Sequence, residues 1–134
     1  MISWSQIELY HKNPPYNILG RSEFMQKKYK KYKEYLKNNN RNIYDEIMYN
    51  YIKNNKYAIT YNNFPYNLER GIYHLLMWVN PNYKMDYDEV EDILRSNGVY
   101  EYIIFRNYEN NCSVCEIVHY HIFIRNKDYV KFLI

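Results

Sequence analysis

The sequence predicts an α+β fold in which N-terminal helices pack on a small, mainly antiparallel sheet with one inserted helix. Apolar residues recur at three- and four-residue spacing in the first half, which favours amphipathic helices. The second half has short apolar segments bounded by Asn, Pro and Gly, which favour strands. With 134 residues, residues 1–134 are expected to form a single domain.

Three helices are predicted in the first half. Ser3 is the expected N-cap of a short helix that ends before Pro14, and Ser22 is the expected N-cap of a longer one. The apolar stripe of this second helix is expected to comprise Phe24, Met25, Tyr29, Tyr32, Tyr35 and Leu36. A third helix should follow Asn42, with an inward stripe of Ile43, Ile47, Tyr51 and Ile52.

Four strands are predicted in the second half, over residues 57–61, 71–79, 100–106 and 117–125. Between the second and third strands, Asp86 and Glu89 form a capping-box pattern, which indicates the start of a helix. Gly98 supplies the left-handed conformation that commonly ends a helix. A last helical turn is expected over residues 128–133.

The most informative feature is a His-x-His pair, His119 and His121. Because side chains in a strand alternate between faces, both imidazoles should point the same way. The intervening and flanking residues should face a core: Val118, Tyr120, Ile122 and Ile124. His74 lies on another predicted core strand, and three such imidazoles need polar partners, which indicates a site. Arg125 shares the parity of the pair and offers a guanidinium to a phosphate or carboxylate.

Composition excludes several classes of protein. Hydrophobic residues make up 47% of the chain, which argues against disorder, and the net charge of +3 is a weak signal for nucleic acid.

No segment resembles a signal peptide or membrane span, so a cytoplasmic protein is expected, in the host cytoplasm if the chain is viral. The abundance of Tyr, Asn, Lys and Ile indicates an AT-rich genome, such as that of a large DNA virus or an AT-rich protist. The lysines of the run 27–33 are expected to be a solvated rim.

Cys112 and Cys115, together with the histidine pair, are four potential zinc ligands within ten positions. Structural zinc sites usually draw ligand pairs from two separated segments, and a straight strand carrying the histidines would be strained by such a site. We therefore expect no metal and no cofactor.

Two segments resemble signatures of the fungal N-acetylglucosamine-induced protein family, an uncharacterised domain also found in large DNA viruses. Residues 62–78 contain Phe-Pro-Tyr, then Gly-Ile-Tyr-His and a late Trp, and residues 113–123 lead from Ser-Val into His-Tyr-His-Ile-Phe. Arg70 and Cys115 stand where that family has proline, which indicates that the Cys-x-x-Cys spacing is incidental. The name of the family points to a response to amino sugars.

The resemblance implies a set of functional positions. Those with polar side chains that a pocket would use are Arg21, Asn63, Tyr66, Glu69, His74, His119 and His121. Pro65 and Gly71 are expected to shape a turn, and Trp78 is expected in the core rather than against a ligand.

A weaker similarity concerns histidine-triad nucleotide hydrolases and transferases, which carry His-x-His-x-His on a strand. It implies that His121 is a catalytic nucleophile attacking phosphate and that His119 assists binding. Phe123 stands at the third histidine position of that motif.

Three functions remain open at this stage. The first is a binding protein for a small polar or phosphorylated metabolite, either a nucleotide or an amino sugar, in a His-lined pocket. The second is an adaptor in which the histidines are structural, and the third is a histidine-dependent phosphoesterase or nucleotidyl transferase. The sequence predicts no oligomeric state.

Overall fold

The computed structural model describes residues 1–10, 19–106 and 117–134. The α-helices of these residues are α1 (Trp4–Tyr10), α2 (Glu23–Asn38), α3 (Ile43–Ile47), α4 (Tyr87–Ser96) and α5 (Lys127–Leu133), and Met48–Ile52 forms a π-helical turn directly after α3. The strands are β1 (Tyr57–Tyr61), β2 (Tyr73–Val79), β3 (Ile103–Arg106) and β4 (His119–Ile124). The predicted α+β class, with helices before the sheet and one helix inserted, is confirmed.

The strands form one sheet in the order β1-β2-β4-β3, and each neighbouring pair is antiparallel. In the central pair, His121 lies opposite Leu76 and His119 lies opposite Trp78. Phe105 of β3 lies opposite His121 on the other side. Residues directly opposite one another share a face of the sheet, so this register decides which side chains meet.

The two faces of the sheet are chemically different. One face is apolar and packs against Val90 and Leu94 of α4 and Val130 of α5. Its main buried residues are Leu75, Met77, Ile104, Tyr120, Ile122 and Ile124. The other, which we call the histidine face, carries His74, Leu76, Trp78, His119, His121 and Phe123. The predicted alternation around the His-x-His pair is therefore confirmed.

The N-terminal segments cover the histidine face at its two ends. At one end, Trp4 and Ile7 of α1 pack with Phe105 and Phe123. At the other end, Ile47 and Ile52 pack with Leu76, Trp78 and Ile117. The three imidazoles lie between these two apolar clusters.

Helix α2 is capped as predicted, since the Ser22 hydroxyl accepts a hydrogen bond from the Met25 N–H at 3.2 Å. Its predicted stripe is wrong at two positions, because Phe24 is 74% exposed and Tyr35 is 54% exposed. The inward side is formed by Met25, Tyr29, Tyr32 and Leu36. Successive helical residues are about 100° apart, so Phe24 and Tyr35 fall outside this narrow stripe.

The π-helical turn corrects the predicted stripe of the third helix. The Lys53 N–H donates to the Met48 carbonyl oxygen at 2.7 Å, five residues back, which adds one residue to the turn. Ile52 is buried as predicted, whereas the extra residue leaves Tyr51 outside the core and 39% exposed. The turn ends at Lys53, which has a φ of 54°.

Strand β1 has the predicted bounds, and the other strands are shorter than predicted. The ladder between β2 and β4 ends at the pair of Tyr73 with Ile124, so residues 71–72 and Arg125 have no partner in it. Gly71 there has a φ of +93° and turns the chain. Helix α4 is capped by Asp86, whose side chain accepts from the Glu89 N–H at 2.9 Å, as predicted.

Replacement of the α2 cap tests how firmly this helix is held. We expect Ser22→Ala to lower the free energy of unfolding by about 1 kcal/mol, because the Met25 N–H loses its acceptor. The matched control is Ser5→Ala, at an exposed position within α1, with an expected change of about 0.5 kcal/mol or less. Urea denaturation measures both, and equal effects would contradict the capping role.

Candidate functional site

The three predicted imidazoles meet on the histidine face. The Nε2 atom of His74 lies 2.7 Å from Nδ1 of His121, and the rings of His119 and His121 have centroids 5.5 Å apart. All three side chains are buried, with 4%, 5% and 6% of their surface exposed for His74, His119 and His121 respectively. The antiparallel pairing of β2 with β4 produces this contact between residues 47 positions apart.

Each imidazole has a hydrogen-bond partner within the fold. The Tyr66 backbone N–H donates to Nδ1 of His74 at 3.2 Å. The Nδ1 atom of His119 lies 2.9 Å from the Ile117 carbonyl oxygen, to which it donates. These bonds compensate for the removal of polar atoms from water.

Burial keeps the three imidazoles neutral. Desolvation, with smaller repulsions from Arg21 and His119, lowers the pKa of His74 to about 3. Desolvation also lowers the pKa of His119 to about 4, against the effect of its bond to Ile117. The pKa of His121 is lowered well below its ordinary value by burial first and then by unfavourable electrostatic interactions with His74, His119 and Arg21. The site therefore offers neutral imidazoles at physiological pH.

A cavity of about 510 Å³ opens between the histidine face and helices α2 and α3. Its aromatic walls are Tyr29, Tyr32, Tyr51, Tyr61, Phe64, Tyr66 and Trp78. Its polar lining comprises Arg21, Lys28, Glu46, Thr60, Asn62, Asn63, His119 and His121. His74 does not line the cavity. It is hydrogen-bonded to His121, which does line it.

Arg21 is the partly buried cation of this cavity. Its Nε–H donates to the Phe64 carbonyl oxygen at 2.6 Å, and its guanidinium carbon lies 4.4 Å from the centre of the Tyr29 ring. Burial lowers its pKa, and the nearby Tyr29 and Tyr66 hydroxyls oppose that effect. In the described part of the chain, no carboxylate lies within ion-pair distance of Arg21.

Glu46 contributes a negative charge to the same cavity. Its carboxylate forms an ion pair with Arg41 and accepts a hydrogen bond from the Asn50 side chain at 2.8 Å. The bond to Arg41 lowers the pKa of Glu46. Burial, together with the Glu46 charge, raises the pKa of the Tyr32 hydroxyl. The cavity thus has a carboxylate near Tyr32 and a guanidinium near Tyr29.

Six of the eight predicted site residues come together. Arg21, Asn63, Tyr66, His119 and His121 line the cavity, and His74 supports His121 from behind.

Two predicted residues lie elsewhere. Glu69 is exposed in the turn before β2, where its backbone N–H bonds the Ile2 carbonyl oxygen at 2.8 Å. Arg125 pairs with Glu101 at 2.9 Å and stacks over the Trp4 ring at 4.5 Å, at the α1 end of the sheet. The geometry gives neither residue a place at the cavity.

Several lining residues were missed by the sequence analysis. Trp78 was expected to be core only, yet it also lines the cavity, with its ring centroid 4.7 Å from that of His119. Trp78 lies four residues after His74 on the same strand, so both side chains point to the same face of the sheet. This spacing could have predicted that Trp78 lies beside the histidines. Tyr29, Tyr32 and Glu46 carried no signal beyond helical periodicity, since the covering of the face by α2 and α3 is a tertiary property.

Metal and membrane interactions have specific structural requirements. Within residues 1–10, 19–106 and 117–134, no group of three His, Cys, Asp or Glu side chains is arranged to hold a metal ion. Cys112 and Cys115 lie outside the described residues. Among the described helices, none has the length and apolarity required to cross a membrane.

The lowered histidine pKa values predict acid destabilisation. An unfolded histidine titrates near pH 6.5, whereas folded His74 and His119 titrate at about 3 and about 4. Below about pH 6.5 the unfolded chain takes up protons that the folded chain does not, so stability is full above that pH and falls as the pH falls. We expect each of these residues to contribute a loss of about 2 kcal/mol between about pH 7 and pH 5.

Urea denaturation at several pH values across this range measures the free energy of unfolding. His119→Gln should make that free energy depend less steeply on pH. Glu46, whose pKa is also lowered, acts only below this window. Equal stability of the wild type at both ends of the range would show that the imidazoles are not buried as neutral groups.

Comparisons with known proteins bear on the fold and the family. The crystal structure of a protein named HTC1 is similar to this chain with a TM-score of 0.67 and 23% sequence identity, over 98% of this chain and 92% of the HTC1 chain. This likeness concerns the fold alone. A search of curated proteins found no match.

The comparisons lend no support to the weaker similarity to histidine-triad proteins or to a viral source. A family model described as a protein of unknown function, DUF3605, matches residues 3–125. That range contains the histidine face and every residue that lines the cavity. The chain therefore belongs to the DUF3605 family.

Proposed function

We propose that this protein binds a small polar or phosphorylated metabolite in the cavity beside His119 and His121. The observation that carries the proposal is Arg21, a partly buried guanidinium at a cavity with no carboxylate partner among the described residues. Removing a cation from water is unfavourable unless an anion or hydrogen-bond acceptor compensates for it. The Phe64 carbonyl oxygen supplies part of that compensation, and a ligand oxyanion would supply the rest.

The orientation of Arg21 supports an anionic ligand. Its Nε–H is used by the Phe64 carbonyl oxygen, so the two terminal nitrogens of the guanidinium remain available as donors. No buried side-chain nitrogen or oxygen of the described residues lacks a partner, so these terminal nitrogens face open space. Two donors in a planar fork match the geometry of a phosphate or carboxylate. Lys28 lines the same cavity and adds positive charge.

The aromatic walls suit a ring-containing ligand. Tyr29 and Tyr32 lie against Phe64 with centroid distances of 4.8 and 5.3 Å, and Trp78 lies deeper against His119. Flat apolar surfaces of this kind pack against sugar rings and nucleobases. A volume of about 510 Å³ lies within the usual range for small-molecule sites.

The remaining polar groups suit hydroxyl or amino substituents. Glu46 accepts hydrogen bonds near Tyr32, and the Thr60 hydroxyl accepts from the Trp78 indole N–H at 3.1 Å. Nucleotides and phosphorylated amino sugars both combine an anion with a ring and with hydroxyl or amino donors. These two classes are therefore the proposed ligands.

One observation favours a different function. His74 and His119 bond to groups inside the fold, as expected if the histidines are structural and the protein is an adaptor. The adaptor function gives no reason for the guanidinium of Arg21 to lack an anionic partner. The binding function gives one, because the ligand would be that partner. We therefore rank the binding function first.

Two arginine variants test the proposal. We expect at least one compound in a panel of nucleotides and sugar phosphates to raise the Tm of the wild type. Arg21→Gln should weaken binding of that compound by about 1.5–3 kcal/mol, or roughly tenfold to a hundredfold, through loss of charged hydrogen bonds. The matched control is Arg125→Gln, which removes the exposed arginine paired with Glu101 and should leave affinity unchanged.

Thermal shift identifies the compound, and isothermal titration calorimetry measures its affinity for the three proteins. A panel without any stabilising compound would favour the adaptor. Equal weakening by the two variants would show that net charge, and not the cavity, attracts the ligand.

A further inference from the structure

We propose that the backbone N–H of Tyr66 fixes the positions of the hydrogens on His74 and His121, so that the cavity presents the Nε2–H of His121 as a permanent neutral donor. The inference rests on the proposed function and specifies which kind of ligand atom binds beside His121. The ligand atom beside His121 is then a hydrogen-bond acceptor, such as a phosphate, carboxylate or carbonyl oxygen, and not a group that can only donate.

The first step is the bond between Tyr66 and His74. A backbone N–H can only donate, so Nδ1 of His74, at 3.2 Å, must be the acceptor. A neutral imidazole with an acceptor at Nδ1 carries its hydrogen at Nε2. The Asn62 amide nitrogen lies 3.4 and 3.5 Å from the two ring nitrogens, and these long, nearly equal distances do not select between them.

The second step passes this constraint to His121. Nε2 of His74 carries the hydrogen and lies 2.7 Å from Nδ1 of His121, which must accept it. The hydrogen of neutral His121 is therefore on Nε2. The opposite direction of these hydrogen bonds, with His121 as donor to His74, would place a hydrogen on Nδ1 of His74. That hydrogen would point directly against the Tyr66 N–H.

The third step places this donor at the cavity. Among the described residues, no partner is present for Nε2 of His121, although no buried side-chain nitrogen or oxygen lacks one. This nitrogen is therefore in contact with open space, and the space that His121 lines is the cavity. Arg21 lines the same cavity as His121 and acts electrostatically on both His74 and His121.

The same pattern opposes the nucleophilic role predicted for His121. A nucleophile needs a lone pair facing the substrate, and the lone pair of His121 is on Nδ1, where it accepts from His74. The nitrogen at the cavity carries a hydrogen instead. The arrangement fits stabilisation of a bound anion rather than attack on it.

His119 provides an internal reference of the opposite kind. Its Nδ1 lies 2.9 Å from the Ile117 carbonyl oxygen, which can only accept, so its hydrogen is on Nδ1. Two histidines on one face of one strand are thus expected in different tautomers. A spectrum that reports tautomers can distinguish them in a single sample.

The test is long-range ¹H–¹⁵N correlation NMR at about pH 7, where the imidazoles are neutral. We expect the Nε2–H form for His74 and His121 and the Nδ1–H form for His119. His74→Gln should leave His121 in the Nε2–H form, because an amide can accept from Tyr66 and donate to His121. The ionised carboxylate of His74→Glu can only accept, and should move the hydrogen of His121 to Nδ1 or make its ring an imidazolium.

Inorganic phosphate is the probe for the ligand class. It should shift the ¹⁵Nε2 resonance of His121 in the wild type and in His74→Gln, and this response should be altered in His74→Glu. A wild-type spectrum with the His121 hydrogen on Nδ1 would overturn the proposal that Tyr66 sets the tautomer of His121 through His74, even if neither variant folds. A His74→Glu protein with unchanged His121 would overturn it as well.

A wild-type His121 resonance that ignores phosphate would overturn the ligand class alone. The affinities of the Arg21→Gln and Arg125→Gln variants decide the proposed function separately, because they do not depend on the tautomer of any histidine.

Discussion

The pairing of β2 with β4 is the constraint on which the rest of the site depends. Its register sets His121 opposite Leu76 and Phe123 opposite His74, so that the two imidazoles on neighbouring strands come within hydrogen-bond distance. A slip of one residue would turn the β4 histidines towards α4 and α5. That slip is opposed by the uniformly apolar character of the other face, where Tyr120 and Ile122 are buried among aliphatic side chains.

Burial of imidazoles on this face has an electrostatic consequence. Because desolvation lowers the pKa of each ring, the histidines contribute oriented dipoles and no net charge. The formal charges in the cavity lining are those of Arg21, Lys28 and Glu46. In the proposed binding function, the cations would attract the anion and the neutral rings would orient it through directed donors and acceptors.

The two arginines show how far parity alone can be taken. Arg125 shares the parity of His119 and His121, and parity correctly fixes the face of a strand residue. It does not fix distance, because six residues of strand extend about 20 Å. Arg125 therefore falls beyond the cavity, over Trp4, whereas Arg21 reaches the cavity from the start of α2.

The sequence by itself determined the α+β class, the caps at Ser22 and Asp86, the β1 strand and the shared face of the His-x-His pair. These features depend on residues a few positions apart, whose spacing is visible in the chain. Tertiary structure alone decided that α2 and the π-helical turn cover the histidine face, that Trp78 and Glu46 line the cavity and that Tyr66 bonds to His74. Such contacts join segments tens of residues apart, and no local periodicity encodes which of them will meet.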